Sequence, residues 1–144
     1  DYTCLAELIR ELIRRGEVAE ANRLLGYDLW YRLPVIHGNH IGRSLSFPTI
    51  NQVIPQTNII PKFGAYKSFV SIDGRNYHGV TNIGVKPTVD YKGGAVMETH
   101  ITGYDGNLYG QTVRVALREF IRDEKKFAGL EELKQQIEED KAKS

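Results

Sequence analysis

The chain has a single cysteine, Cys4, so no internal disulfide can form and there is no paired thiol spacing for a zinc site. That usage is compatible with a reducing cytoplasm. No apolar run approaches the length that crosses a bilayer, and the N-terminus lacks the order of charge, apolar run and small residues that marks a signal peptide. No membrane partner is expected. The formal charge is only +1, which leaves no overall basic field for general nucleic-acid binding. The G-x-x-x-x-G-K-[ST] phosphate loop is missing too, so any nucleotide must be held another way, and no internal repeat or low-complexity tract is visible. What is there is 144 residues, 41% apolar and 26% charged, enough to bury a core without metal or disulfide support.

Leu5, Leu8, Ile9, Leu12 and Ile13 recur at helical spacing and predict a helix ended by Gly16. A second short helix, Glu17 to Leu25, is expected to stop at Gly26. Their apolar stripe must cover either the body that follows or a preceding domain, and the latter is expected. From Tyr27 the texture changes to short β-rich runs broken by Gly, Asn and Asp, the pattern of an antiparallel sheet or barrel. Asp73-Gly74 predicts a hairpin between residues 65–72 and 76–83, and Asp105-Gly106 a second one between residues 97–104 and 111–117. Gln52 to Phe63, with Pro55 and Pro61, reads as a long loop, and Gly84 to Gly94 as a mobile flap or a passive surface loop. A closing helix is expected from about Leu130, with Leu133 and Ile137 on its apolar side.

Chemistry concentrates in Gly42-Arg43-Ser44-Leu45-Ser46-Phe47-Pro48-Thr49-Ile50-Asn51. Gly42 allows close backbone approach, Arg43 is a planar cation, and Thr49 and Asn51 offer neutral oxygens to a hard cation such as Mg²⁺. If Thr49 to Asn51 is extended, both side chains leave one face while Ile50 turns the other way. The same stretch also suits a plain polar loop leading into a strand. In Val96-Met97-Glu98-Thr99-His100-Ile101, period two puts Glu98 and His100 on one face and Met97, Thr99 and Ile101 on the other. Glu98 could take a proton from a substrate hydroxyl, or simply face solvent. His37, His40 and His78 have no metal-ligand spacing and read as structural or surface residues. Arg122 to Lys126 reads as a solvated charge run.

Taken together, Gly38 to Asn51, Gly64-Ala65-Tyr66, Gly79 to Thr88, Glu98-Thr99-His100, Asp105 to Gly110 and Arg122 to Phe127 resemble riboflavin kinase, in particular the kinase module of bacterial bifunctional riboflavin kinase/FAD synthetases. The resemblance implies a mainly β fold, a six-stranded Greek-key antiparallel barrel over residues 27–144 with a C-terminal helix. Residues 1–26 would then be the helical linker remnant of an adenylyltransferase module, and FAD synthesis is not expected of this chain. The implied reaction is transfer of the γ-phosphate of ATP to the ribityl 5′-hydroxyl of riboflavin, giving FMN and ADP with Mg²⁺ or another divalent cation. The resemblance makes Glu98 the catalytic base and Thr49 and Asn51 the metal ligands. It assigns Gly38, Gly42, Arg43, Ser44, Ser46, Pro48, Thr49 and Asn82 to the nucleotide, and Arg122, Glu124 and Phe127 to the flavin. Ser46, Ile50 and Leu33 depart from its pattern, where Gly, Ala and Gly are commoner. Two rivals belong to other classes: a non-catalytic flavin-binding barrel, and an RNA-binding barrel, against which the dispersed charge speaks.

Overall fold

The computed structural model describes residues 2–37, 48–87, 89–125 and 130–143. Helix α1 spans Tyr2–Arg14 and α2 spans Val18–Leu25. Each ends where the glycines predict, with Gly16 and Gly26 at φ of +82° and +84°, a left-handed turn that a β-carbon resists. Leu12 and Ile13 are buried against Ala21, with Ile9, Leu24, Leu29 and Ile59 around them. The stripe of α1 therefore covers the body that follows over its C-terminal half, whereas Leu5 and Leu8 near its start stay exposed. Helix α2 goes deeper. Val18 joins the main core, and the buried Asn22 accepts from the Leu29 amide at 2.7 Å and donates to the Leu117 carbonyl at 2.9 Å.

Six strands follow: β1 (Leu29–Pro34), β2 (Thr49–Ile54), β3 (Gly64–Ile72), β4 (Arg75–Gly84), β5 (Ala95–Ile101) and β6 (Thr112–Asp123). They form one antiparallel sheet in the order β1-β6-β3-β4-β5-β2. The run β6-β3-β4-β5 is a Greek key, since the fourth strand returns beside the first of three consecutive ones. The sheet curls until its edges meet. Ile36 bridges to Asn51, and the Gln52 side-chain amide donates across the seam to the carbonyls of Leu33 and Val113, both at 2.9 Å. The result is a nearly closed barrel that leaves little free edge.

The Asp73-Gly74 hairpin is present, with both residues at positive φ as a two-residue turn requires. The Asp105-Gly106 hairpin is not. β5 pairs with β2 and β4, while β6 pairs with β1 and β3, so residues 102–111 cross over to another part of the sheet. A turn dipeptide reports a local bend, whereas barrel closure decides which strands pair. The loop expected from Gln52 also starts later, because β2 runs on to Ile54. Gln52 is fully buried, and its polarity is satisfied by the seam bonds just described.

Inward-facing Ile54, Tyr66, Val70, Ile83, Met97, Val115 and Leu117 fill the barrel. Thr99 faces inward as well, as its period predicts. Its hydroxyl and that of Thr81 lie 2.8 Å apart, and Thr81 donates to Ser68 at 2.8 Å, so the three buried hydroxyls satisfy one another. Of the positions that depart from the family pattern, Ile50 packs inside and Leu33 lies on β1 against the core. Ser46 lies outside the described residues. The last helix, α3 (Leu130–Lys143), begins where expected and covers part of the outer barrel wall beside β4.

Candidate active site

The outer face of β2, β5 and β4 carries the polar residues in one row. Asn51 is the register partner of Glu98, and Glu98 is in turn the partner of Asn82. Thr49 is likewise paired with His100. Directly opposed side chains in such pairs stand within about 5 Å of each other at their β-carbons. Period two thus brings Thr49, Asn51, Asn82, Glu98 and His100 to one face of three strands.

Glu98 is not the solvent-facing carboxylate of a half-exposed sheet. Its side chain is only 18% exposed and pairs with the Lys86 ammonium, which also donates to the Asn51 amide oxygen at 3.3 Å. On its other side, His100 Nε2 lies 3.9 Å from the Glu98 carboxylate. The His100 ring is buried, and its Nδ1 lies 3.0 Å from the Thr49 hydroxyl. Burial pushes the imidazole below its ordinary pKa, partly offset by the Glu98 charge, so the ring is held neutral. Nε2 has no hydrogen-bond partner among the described residues.

Lys86, Glu98 and His100 open onto a cavity of about 200 Å³ between the barrel wall and α3, with Thr49 and Asn51 beside it rather than in its lining. Asn82, Lys86, Glu98 and His100 line the wall side, and Arg122, Glu124, Leu133 and Ile137 the other. Arg122 belongs to β6 rather than to a solvated charge run. Its guanidinium forks onto Asp140 of α3 at 2.9–3.3 Å, and Asp140 is fully buried. Gln136 donates to the same carboxylate at 3.0 Å while accepting from Lys125 at 2.8 Å. The end of β6 is thereby tied to α3, and the far wall of the cavity stands on that network. Glu124 lies close against Gly84, where a β-carbon would meet its carboxylate.

Pro48 stands at the entry to β2, its carbonyl accepting from the Ile101 amide at 2.8 Å. Gly38, Gly42, Arg43, Ser44, Ser46 and Phe127 lie outside the described residues, as do His40, Thr88 and Lys126. His37 stacks on Tyr109 and His78 tilts onto Phe69, in keeping with structural or surface roles. Two contributors escaped the sequence reading. Lys86 stood in a loop motif, and only the fold carries it to Glu98. Asp140 had a visible signal, because it continues the Leu133-Ile137 stripe at helical spacing, and a carboxylate on a buried stripe needs a cation.

A family model described as flavokinase, riboflavin kinase, matches residues 25–144. The chain belongs to the riboflavin kinase family. Among similar proteins, the bifunctional riboflavin kinase/FMN adenylyltransferase of Bacillus subtilis is 37% identical over 143 residues, covering 98% of this chain and 45% of the relative. The protein of the same description from Escherichia coli K12 is 35% identical over 135 residues, covering 92% and 42%. The chain thus spans less than half the length of these relatives. A crystal structure from Streptococcus pneumoniae, described as a macrolide-efflux protein, superimposes with a TM-score of 0.84 at 34% identity, over 94% of this chain and 44% of that one. Among the described residues here, no helix is long and apolar enough to cross a membrane. Membership in the riboflavin kinase family does not favour a flavin-binding barrel without catalysis.

Proposed function

We propose that this chain transfers the γ-phosphate of ATP to the ribityl 5′-hydroxyl of riboflavin. The observation that carries the reading is the Glu98 carboxylate, half-buried at a cavity wall, with Asn51 and Asn82 as its neighbours across the sheet. In the transfer, the hydroxyl oxygen bonds to the γ-phosphorus as the bond from that phosphorus to the β–γ bridging oxygen breaks. The electron pair leaves with ADP, and the hydroxyl proton passes to Glu98. Partial burial beside the barrel wall and the Lys86 ammonium orient the carboxylate, so the chain contributes mainly position and electrostatics.

The donor set suits a hard divalent cation. Thr49 and Asn51 offer a hydroxyl and an amide oxygen from one strand face, and among the described residues no cluster of three His, Cys, Asp or Glu would make an all-protein cage. That composition matches a cation shared with substrate phosphates. Thr49 and Asn51 would hold Mg²⁺, which when bound neutralises phosphate charge. On sequence grounds we assign Gly38, Gly42, Arg43, Ser44 and Ser46 to the nucleotide loop, with Pro48 and Asn82 beside it. Arg122, Glu124 and Phe127 are assigned to the flavin side, where Arg122 acts through its hold on α3.

The parent protein is proposed to be a cytoplasmic bifunctional enzyme in which residues 1–26 join an adenylyltransferase module to the barrel. That module would carry FAD synthesis. Conversion of riboflavin to FMN by this chain with ATP and Mg²⁺ tests the reading. Glu98→Gln is expected to lower kcat by roughly 10²–10⁴-fold, the usual worth of a positioned base. Asn51→Ala should lower it by about 10²-fold, through lost phosphate and metal positioning. Riboflavin binding without turnover in the unmodified chain would return the non-catalytic flavin-binding module, and full activity in Glu98→Gln would remove Glu98 from the base role.

A further inference from the structure

Lys86 contacts both groups that the proposed chemistry uses most closely. Its ammonium pairs with the Glu98 carboxylate and donates to the Asn51 oxygen, and its side chain is only 20% exposed. It is not a free surface lysine. It stands two residues beyond the end of β4, and its carbonyl accepts from the amide of the buried Val89 at 3.2 Å. The segment closes on a tight turn in which the Gly94 amide donates to Tyr91 at 2.8 Å, with Lys92 and Gly93 at positive φ. The neighbouring cations of the cavity are engaged elsewhere, Arg122 with Asp140 and Lys125 with Gln136.

A partly buried ion pair of this kind adds little net stability, because desolvation offsets most of the attraction. The place of the cation is more informative. It sits beside the amide oxygen assigned to phosphate and metal, on a flexible four-carbon stem that lets the ammonium shift by a few ångströms without backbone movement. A nucleotide phosphate arriving at Asn51 carries more negative charge than one carboxylate and competes for the same ammonium.

We propose that Lys86 is a catalytic cation of this site. It rests on Glu98 and Asn51 and passes to the transferring phosphate when nucleotide binds, which frees the carboxylate for the hydroxyl proton. Lys86 stays an ammonium throughout and exchanges only its partners, so the base becomes available when the phosphate is in place. The proposal rests on the kinase reading above and adds to it a residue and an order of events.

The test uses the full chain with Lys86→Met, Lys86→Gln and Lys86→Arg. Four quantities are measured: kcat, KM for ATP, the affinity for a non-hydrolysable ATP analogue that keeps the γ-phosphate, by titration calorimetry without riboflavin, and Tm. Loss of the cation should lower kcat by about 10²-fold in Met and Gln, the usual cost of removing one charge-stabilising donor. The analogue should bind on the order of 10-fold more weakly, and Arg should recover part of both losses. Should Met disturb folding, Gln keeps the length and polarity of the side chain without the charge. A kcat and analogue affinity within about 2-fold of the unmodified chain, with only Tm lowered, would make Lys86 a structural pin between β4 and β5 and overturn the proposal. If the unmodified chain turns over no riboflavin, the kinase reading fails by itself. The analogue titration then still decides, since weaker binding in Met and Gln supports a phosphate cation and unchanged binding overturns it.

Discussion

At Gly94, a β-carbon would fall 1.9 Å from the Ile54 carbonyl oxygen, a backbone atom that cannot swing away. The start of β5 and the end of β2 approach that closely only because the residue is glycine. Gly26 shows the opposite case: nothing lies within 4 Å of an added β-carbon, and only its φ of +84° resists one. Gly94→Ala should therefore destabilise the protein by about 1–3 kcal/mol or more, through backbone displacement. Gly26→Ala should cost about 1–2 kcal/mol, through local strain alone. Denaturant unfolding of the two variants checks the order, and equal losses would argue against the close approach. At this scale the sequence was legible where one strand's period decided the outcome. Thr49 and Asn51 share a face, Glu98 and His100 share another, and pairing makes the two faces one. Lys86 was not legible, because a loop lysine has no period, and its partners lie 12 and 35 positions away.

Helix α3 is held to the barrel by apolar burial and by one charge network. Leu133 and Ile137 face the cavity, but its most buried polar group is Asp140, forked by Arg122 and braced by Gln136. Removing one partner of a buried pair leaves the other charge without compensation, at a cost of roughly 3–5 kcal/mol when burial is complete. Arg122 keeps 16% exposure, which places the expected loss toward the lower part of that range. Asp140→Ala should then release α3 locally while the barrel stays folded. Amide hydrogen exchange would show faster exchange in residues 133–141 and little change in β3 and β4. Unchanged protection of α3 would shift the credit to Leu133 and Ile137. Among the elements, helix ends and the Asp73-Gly74 turn were readable because each depends on a few adjacent residues. The second hairpin failed for the complementary reason, since local turn chemistry does not choose a strand's partner.

For the molecule as a whole, two buried tyrosines report on barrel integrity. Tyr31 and Tyr66 donate to the carbonyls of Ile59 and Lys62, which ties the 55–63 loop to the barrel. Burial pushes both phenols well above their ordinary pKa of 10.0. Their unfolded counterparts ionise near the ordinary value, so this contribution to stability is complete below pH 10 and falls as pH rises beyond it. Tyrosinate absorbance followed against pH should show these two of the chain's eight tyrosines ionising only together with unfolding. Ionisation of all eight in one ordinary step, with the fold intact, would contradict their burial.

Family, strand composition and helix ends were determined by the sequence by itself, because each rests on residue type, short spacing or the order of motifs along the chain. Only the tertiary structure decided that Gln52 closes the barrel seam, that Arg122 is committed to Asp140, and that Lys86 stands on Glu98 and Asn51. These contacts join residues 12 to 61 positions apart. Such pairings depend on how strands close on one another, a property of the whole sheet that no local pattern encodes.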